Sequence, residues 1–512
     1  MADTHLPSDP IAHFATVTPA ATAVRDLDQS LSFTYAQLDE IVHRAASLLH
    51  ALLGKAAGER VAVIARNRVE MLILHFACIR TGAIFVPINW RLSVSEARYI
   101  VNDCQPRLAV LEPEFHPVLD GLEITRLEFD SNPNTQASGL LSRLNSLPRP
   151  ERSGGKQLIA AGTPITLLYS SGTTGRPKGV VVTLMNAFCS AMNLGLDMHC
   201  TAACTFLCDM PLFHTAGLFA AARTPLSVGG QLLLSRKFDA ASTYERLSDP
   251  ALGITHYFAV TQMAMALRQL PEFNGRDLSH LTALITGGAP NPAAHVRLWL
   301  AEGVRMINAW GMSEIGSGTA QPLDWEHLRD NPNAIGLPHF MIELRLVDNQ
   351  GQPVAEGQPG EILVRGPSVT PGYWQRPDLN SLAFRDGWFH TGDLAVRDAE
   401  GCYTLIDRIK DMFISGGENI YPAEIEAVIV EMPGVADVAV VGIQDEKWGE
   451  MGVAFIVSVP GFVLEPSALH EHCAERLARF KIPRHFELVS QLPKTASGKV
   501  QKHILRDSWQ ER

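Results

Sequence analysis

The chain has 512 residues, 46% of them hydrophobic and 19% charged, with a formal net charge of −11. One hydrophobic core rarely extends past roughly 250–300 residues, so two or more domains are expected. The acidic balance argues against nucleic acid or an anionic membrane surface as a partner, and no apolar run approaches the roughly 18 residues that suggest a transmembrane helix.

Taken from the start, MADTHLPSDPIAHFA lacks the cationic and apolar regions of a signal peptide. Tyr35 to Leu53 carries apolar residues at helical spacing, with Gly54 as its stop. Val61–Ile64 reads as a short buried strand, Val69–Arg80 as a second apolar-faced helix, and Ala83–Ile88 as the next strand. Such alternation implies a mostly parallel sheet covered on both faces. The polar stretch 130–156, rich in Ser, Asn and Pro, reads as a surface loop. The alternation returns from 158 to 310, with strands at Ile165–Tyr169, Gln231–Leu234, Thr255–Val260 and Ala283–Thr286.

From 335 to 406 turn signals crowd together at Asn349-Gln350-Gly351, Glu356-Gly357, Asp386-Gly387 and Glu400-Gly401, which indicates a β-rich subdomain. Beyond about 410, helices (Pro422–Met432, Pro466–Arg479) mix with strands (Val435–Ile443, Val453–Ser458), as in a small α+β domain. The expected fold is α/β: a large N-terminal domain of βαβ-type sheets with a β-rich subdomain over 1–409, and a small C-terminal α+β domain over 410–512. The eight cysteines include no C-x-x-C pair, which fits free thiols in a reducing cytosol. Cys200, Cys204 and Cys208 would share a face only on a helix, and read as small buried residues rather than a zinc site.

The chemistry begins after the strand Ile165–Tyr169. Gly172 and Gly175 let the backbone curl and turn its N–H groups toward an anion. Ser170, Ser171, Thr173 and Thr174 add hydroxyl donors, and Lys178 adds a point charge. The string suits the phosphates of ATP, yet it is not a Walker A loop, because Lys178 precedes Gly179 rather than Ser or Thr.

This loop resembles the signature of the adenylate-forming enzymes: acyl-CoA synthetases, peptide-synthetase adenylation domains and luciferases. Further motifs of that family follow in order, over about two-thirds of the chain. Leu212-Phe213-His214-Thr215-Ala216-Gly217 resembles the segment beside the acyl pocket, with His214 in a catalytic position. Gly287-Gly288-Ala289-Pro290 resembles the close-approach turn near adenine. Trp310-Gly311-Met312-Ser313-Glu314 resembles the Tyr-Gly-Met-Thr-Glu motif, so Trp310 is expected to stack on adenine and Glu314 to hold Mg2+. The resemblance places Asp393 on both ribose hydroxyls and Arg408 near ribose and phosphate. It makes Lys410 the hinge of a mobile C-terminal domain, Gly416 and Gly417 the lining of a coenzyme A channel, and Lys499 the mobile catalytic lysine. Asp407 departs from the Gly often found there.

The implied reaction has two halves. A carboxylate attacks the α-phosphorus of ATP, pyrophosphate leaves, and the CoA thiolate then takes the acyl group from AMP. Phe213-His214 lacks the Asp with which amino-acid-activating domains pair an α-ammonium, and Asp239 lies too far along to replace it. That favours an acid–CoA ligase over a peptide-synthetase module. The apolar stretches Phe213–Ala222, Phe258–Met265 and Gly311–Ser317 suggest a hydrophobic acid, a medium- or long-chain fatty acid being favoured. An aryl acid or malonate ligase, or an enzyme loading a separate carrier protein, shares these motifs. Arg223 could pair with the second carboxylate of a diacid or form a surface or inter-domain salt bridge. An inactive paralogue is disfavoured because Lys178, Glu314, Asp393, Arg408 and Lys499 are all present; luciferase-like oxidation shares the adenylation step. The sequence carries no signal for an oligomeric state.

Overall fold

The computed structural model describes residues 4–130, 139–148, 158–171, 177–289, 291–415, 418–445, 448–495 and 500–510. Two large sheets dominate. One has six strands in the order 177–183, 164–171, 84–88, 60–64, 108–111, 125–128, parallel except for the first pair. The other has nine, running 337–338, 316–320, 306–312, 283–286, 256–259, 205–208, 231–234, 22–26, 31–34. Its interior pairs are parallel and its edges antiparallel. The interior strands are continuous apolar runs such as Leu232-Leu233-Leu234, as expected where both faces are covered.

Helix Tyr35–Leu53 has the expected bounds. Thr34 and Gln37 form a capping box at its start, and Gly54, at φ 68°, ends it. Helix Val69–Thr81 is not merely apolar on one face: all 13 residues are buried. It packs against strands of both large sheets, which accounts for its all-round apolarity. Its few charges are therefore paired. Arg68 meets Glu70 at 2.7 Å. Arg80 meets Asp9 at 2.8 Å and Asp39 at 2.8 Å. Asp9 in turn caps helix Pro10–Val17 through Ala12 N–H.

The stretch read as a loop over 130–156 is partly helical. Leu140–Ser146 forms a helix whose Leu140, Leu141 and Leu144 enter the core. Buried Asp130 accepts from the backbone N–H groups of Gly139, Leu141 and Ser142, so the cap comes from nine or more residues upstream. The cysteine trio is not helical either: Cys200 and Cys204 flank a turn, and Cys208 ends strand Thr205–Cys208.

The β-rich region forms one antiparallel sheet from strands 343–347, 360–365, 384–385, 388–397 and 403–408. Beyond it, strands 413–415, 418–420, 435–445, 449–458 and 485–488 make a further sheet with apolar clusters on both faces. Among the described residues no helix is long and apolar enough to cross a membrane.

Replacing Arg80 by Met strands two buried carboxylates, Asp9 and Asp39. The expected loss is about 3–5 kcal/mol, read as a lower urea midpoint for the transition of the N-terminal sheets. An unchanged midpoint would show that water reaches those carboxylates.

Candidate active site

Strands Pro164–Ser171 and Pro177–Thr183, which flank the glycine-rich segment in sequence, pair antiparallel at the edge of the six-stranded sheet, with Ser171 opposite Pro177 and Ser170 opposite Lys178. Gly172, Thr173, Thr174 and Gly175 lie outside the described residues. Ser170 Oγ is shielded from solvent and has no hydrogen-bond partner among the described residues, a donor available to a phosphate.

Glu314 comes from the nine-stranded sheet, on the turn between strands Met306–Met312 and Gly316–Ala320. The turn needs Gly311, since a Cβ there would meet Gly316 O at 2.2 Å. Glu314 is buried, with Lys178 Nζ 3.2 Å from its Oε1. Tyr373 completes the group: its hydroxyl donates to Glu314 Oε1 at 2.9 Å and accepts from Lys178 Nζ at 2.7 Å. Burial and the Glu314 charge raise the Tyr373 pKa far above the ordinary phenol range, so the O–H stays a donor. Sequence reading missed this residue; its only signal was Pro371-Gly372-Tyr373-Trp374, one turn among many. Magnesium takes one or two carboxylates and completes its shell with phosphate and water. A single buried carboxylate beside an anion loop fits that demand. Among the described residues no group of three or more His, Cys, Asp or Glu is placed to hold a metal by itself.

The antiparallel sheet contributes Asp393, opposite Arg408 on the neighbouring strand. Trp310 Nε1–H donates to Asp393 Oδ2 at 2.9 Å. Arg408 Nε lies 2.9 Å from Oδ1, at ion-pair distance but off the hydrogen-bond direction. Both oxygens are thus engaged, and each keeps a lone pair for a ribose hydroxyl. The Trp310 ring lies against Gly318, where a Cβ would stand 2.7 Å from it. One purpose of the indole is therefore internal: it orients Asp393. Gly288, at φ 83°, is exposed; Ala289 is half-buried, and Pro290 lies outside the described residues.

His214 follows strand Thr205–Cys208 on a turn closed by its N–H to Pro211 O, and its ring lies against Phe213 at 4.6 Å between centroids. A π-helix, Ala216–Arg223, continues from there. Beside it is a small cavity of about 10 Å³. Thr215 and Phe219 of the first expected acyl stretch line it, as do Ser313 and Gly316 of the third. The Phe258–Met265 stretch is not in its wall, and Met263 and Ala264 belong to the main core. Asn186 and Ser190 on helix Leu184–Asp197, with Ser368, add polar groups to the lining; sequence reading had no signal for them.

Arg223 is at neither the surface nor a salt bridge. It is buried 3.2 Å from His75 Nε2 and 5.7 Å from the Phe76 ring centre, with no acidic partner at ion-pair distance among the described residues. Burial lowers its pKa to about 10. His75 also contacts Phe219, which lines the cavity, whereas Arg223 does not.

Lys410 sits exposed on the turn after strand Tyr403–Arg408. Asp407 now has an account. Its Oδ1 accepts from Arg408 N–H at 2.7 Å, and its Oδ2 from Ala423 N–H at 2.8 Å, at the start of helix Pro422–Ile429. Lys502 faces the same place and pairs with Glu426 at 2.8 Å. Burial raises the Asp407 pKa even against Lys502 and the two N–H groups. Gly416, Gly417 and Lys499 lie outside the described residues; Lys494 and Val500, on either side of Lys499, form a bridge.

Three sheets thus contribute Lys178, Glu314 and Asp393, the first two in contact and the third joined to the Glu314 strand through Trp310. The chain belongs to the AMP-binding enzyme family: the model of that family matches residues 11–374, and that of the AMP-binding enzyme C-terminal domain matches 424–499. Within it the chain is an AMP-forming acyl-CoA ligase. It is similar to the indoleacetate–CoA ligase of Aromatoleum aromaticum, 37% identical over 98% of this chain and 97% of the relative. It is also similar to a feruloyl-CoA synthase of Amycolatopsis, 36% identical over 96% of each. Among solved structures, ATP-bound MatB from Rhodopseudomonas palustris matches with a TM-score of 0.90 at 29% identity over 99% of each chain.

Asp209, just before the His214 turn, accepts from Thr243 and Tyr257 hydroxyls at 2.8 and 3.0 Å, yet burial pushes its pKa up to about 6. The folded protein holds that proton more tightly than the unfolded chain. The contribution is therefore complete below about pH 4 and is lost as pH rises through 6, by up to about 3 kcal/mol. Asp209→Asn should remove this slope from urea midpoints measured between pH 4 and 7. Identical slopes in both proteins would show that Asp209 does not titrate there.

Proposed function

We propose that this ligase adenylates a compact hydrophobic acid of aryl or arylalkanoic type and transfers it to coenzyme A, with Lys178, Glu314, Asp393, Arg408 and Lys499 as its working charges. The observation that carries this reading is the meeting of Lys178, Glu314 and Asp393 where three sheets converge. The sequence pattern favours a medium or long acyl chain. The names of two relatives, feruloyl-CoA synthase and indoleacetate–CoA ligase, favour a compact ring instead. A diacid is disfavoured because Arg223 does not line the cavity.

In the first step the glycine-rich segment and Lys178 hold the departing phosphates, while Asp393 fixes the ribose. Glu314 would hold magnesium, which would supply charge neutralisation on phosphate oxygens. Lys499 contacts the acid's carboxylate and the α-phosphate together and lowers the repulsion between the two anions. The barrier falls mainly through positioning, because both reactants arrive bound. For thioester formation the domain after Lys410 turns, withdraws Lys499 and presents the segment of Gly416 and Gly417 to the thiol. The acyl-adenylate is already activated, so the thiolate needs access more than a base. His214 borders the acyl carbonyl, and cytoplasmic free thiols fit the cysteine pattern.

ATP–pyrophosphate exchange without CoA, across cinnamates, arylacetates, benzoate, malonate, octanoate, palmitate and amino acids, tests the substrate class. Exchange with an aryl acid is expected. Exchange with palmitate alone would return the reading to fatty acids, and exchange with amino acids alone would overturn the His214 argument. Adding CoA or a carrier protein then identifies the acceptor. Lys499→Ala should lose adenylation by at least about a hundredfold yet convert supplied acyl-adenylate to thioester. Equal loss of both half-reactions would count against domain rotation.

A further inference from the structure

We propose that Tyr373 is a positioning residue for the metal carboxylate: its hydroxyl fixes one oxygen of Glu314 and gives Lys178 a second partner, so that the lysine can leave for phosphate without releasing Glu314. The inference rests on the use of Glu314 and Lys178 proposed above.

The geometry is a closed triangle. Tyr373 O–H to Glu314 Oε1 is 2.9 Å, Lys178 Nζ to Tyr373 Oη is 2.7 Å, and Lys178 Nζ to Glu314 Oε1 is 3.2 Å. The ammonium also stands 3.9 Å from the centre of the Tyr373 ring, a cation–π contact. Lys178 and a magnesium ion would compete for the same carboxylate. An arrangement with only the ion pair would let Glu314 swing when the lysine departs. Tyr373 prevents that by holding Oε1 from a buried, protonated phenol. The other oxygen is left for the cation.

The backbone around Tyr373 is fastened to both partners. Thr370 N–H donates to Glu314 O at 2.7 Å. Val181 N–H donates to Gly372 O at 3.0 Å, and Trp374 N–H to Gly179 O at 2.7 Å, both on the strand that carries Lys178. Tyr373 N–H is taken by Asn380 Oδ1 at 2.7 Å. Gly372 is obligatory, at φ 145° with Asn380 2.6 Å from any Cβ. The segment 370–374 is therefore a rigid brace between two sheets, and the phenol is its working end.

Tyr373→Phe removes the hydroxyl and keeps the ring. Binding of a non-hydrolysable ATP analogue, followed by calorimetry, should weaken about tenfold in the presence of Mg2+ and stay within about twofold in EDTA. In exchange assays the half-saturating Mg2+ concentration should rise by a similar factor, with the rate at saturating Mg2+ nearly kept. In a Glu314→Gln background the same change should add nothing to the Mg2+ dependence. Equal weakening with and without Mg2+, no weakening at all, or additive losses in the double variant would each overturn the proposal. Absence of acid-dependent exchange in the unmodified protein would instead overturn the ligase chemistry assigned to the site, and the calorimetric comparison would still decide the role of Tyr373.

Discussion

Everything in the site depends on one junction where three sheets meet, with Lys178 paired to Glu314 and Asp393 bonded to Trp310 across sheet boundaries. Lys178 belongs to the six-stranded sheet, Glu314 and Trp310 to the nine-stranded one, and Asp393 and Arg408 to the antiparallel one. Glu314 in particular could not stay buried without Lys178 from the other large sheet, because a buried ion without a counter-ion is expensive. Packing of the two large sheets and pairing of these charges are thus one event. The helix Val69–Thr81, buried between the two large sheets, makes that assembly rigid on the far side.

Much of this was legible in the sequence, for reasons particular to each element. Helix Tyr35–Leu53 announced itself by the helical spacing of its apolar residues and by a terminal glycine. Strands such as Gln231–Leu234 and Ala283–Thr286 were short unbroken apolar runs, which only a doubly covered sheet requires. The site charges could be named because their motifs pack several chemically demanding residues into a few positions. The helix Leu140–Ser146 could not be seen: only three leucines mark it, and its cap, Asp130, is distant in sequence. Asn186 and Ser190 look like any polar residues on an amphipathic helix, and only the tertiary fold turns them toward a cavity. Tyr373 is the sharper case. Nothing in Gly-Tyr-Trp distinguishes a brace from a β-turn until both neighbours are in place.

Trp310 shows how one position can carry two demands. A ring there offers a flat face, which a tyrosine would offer equally. The indole N–H adds a donor aimed at Asp393, and Gly318 leaves the space that the larger ring needs. The substitution is thus coupled to a small residue eight positions later. The Asp393 carboxylate is held from two sides, by Trp310 and Arg408.

Asp407 holds an N–H on each side of the turn that contains Lys410, one from its own strand and one from the first turn of a helix beyond it. Any reorientation at Lys410 must first expose a helix terminus whose donor has lost its acceptor, beside a carboxylate that was already short of water. That gap stabilises again only when solvent enters it. The rotation proposed above would then be gated by hydration of a single seam, and its two orientations would behave as discrete states separated by a wetting step.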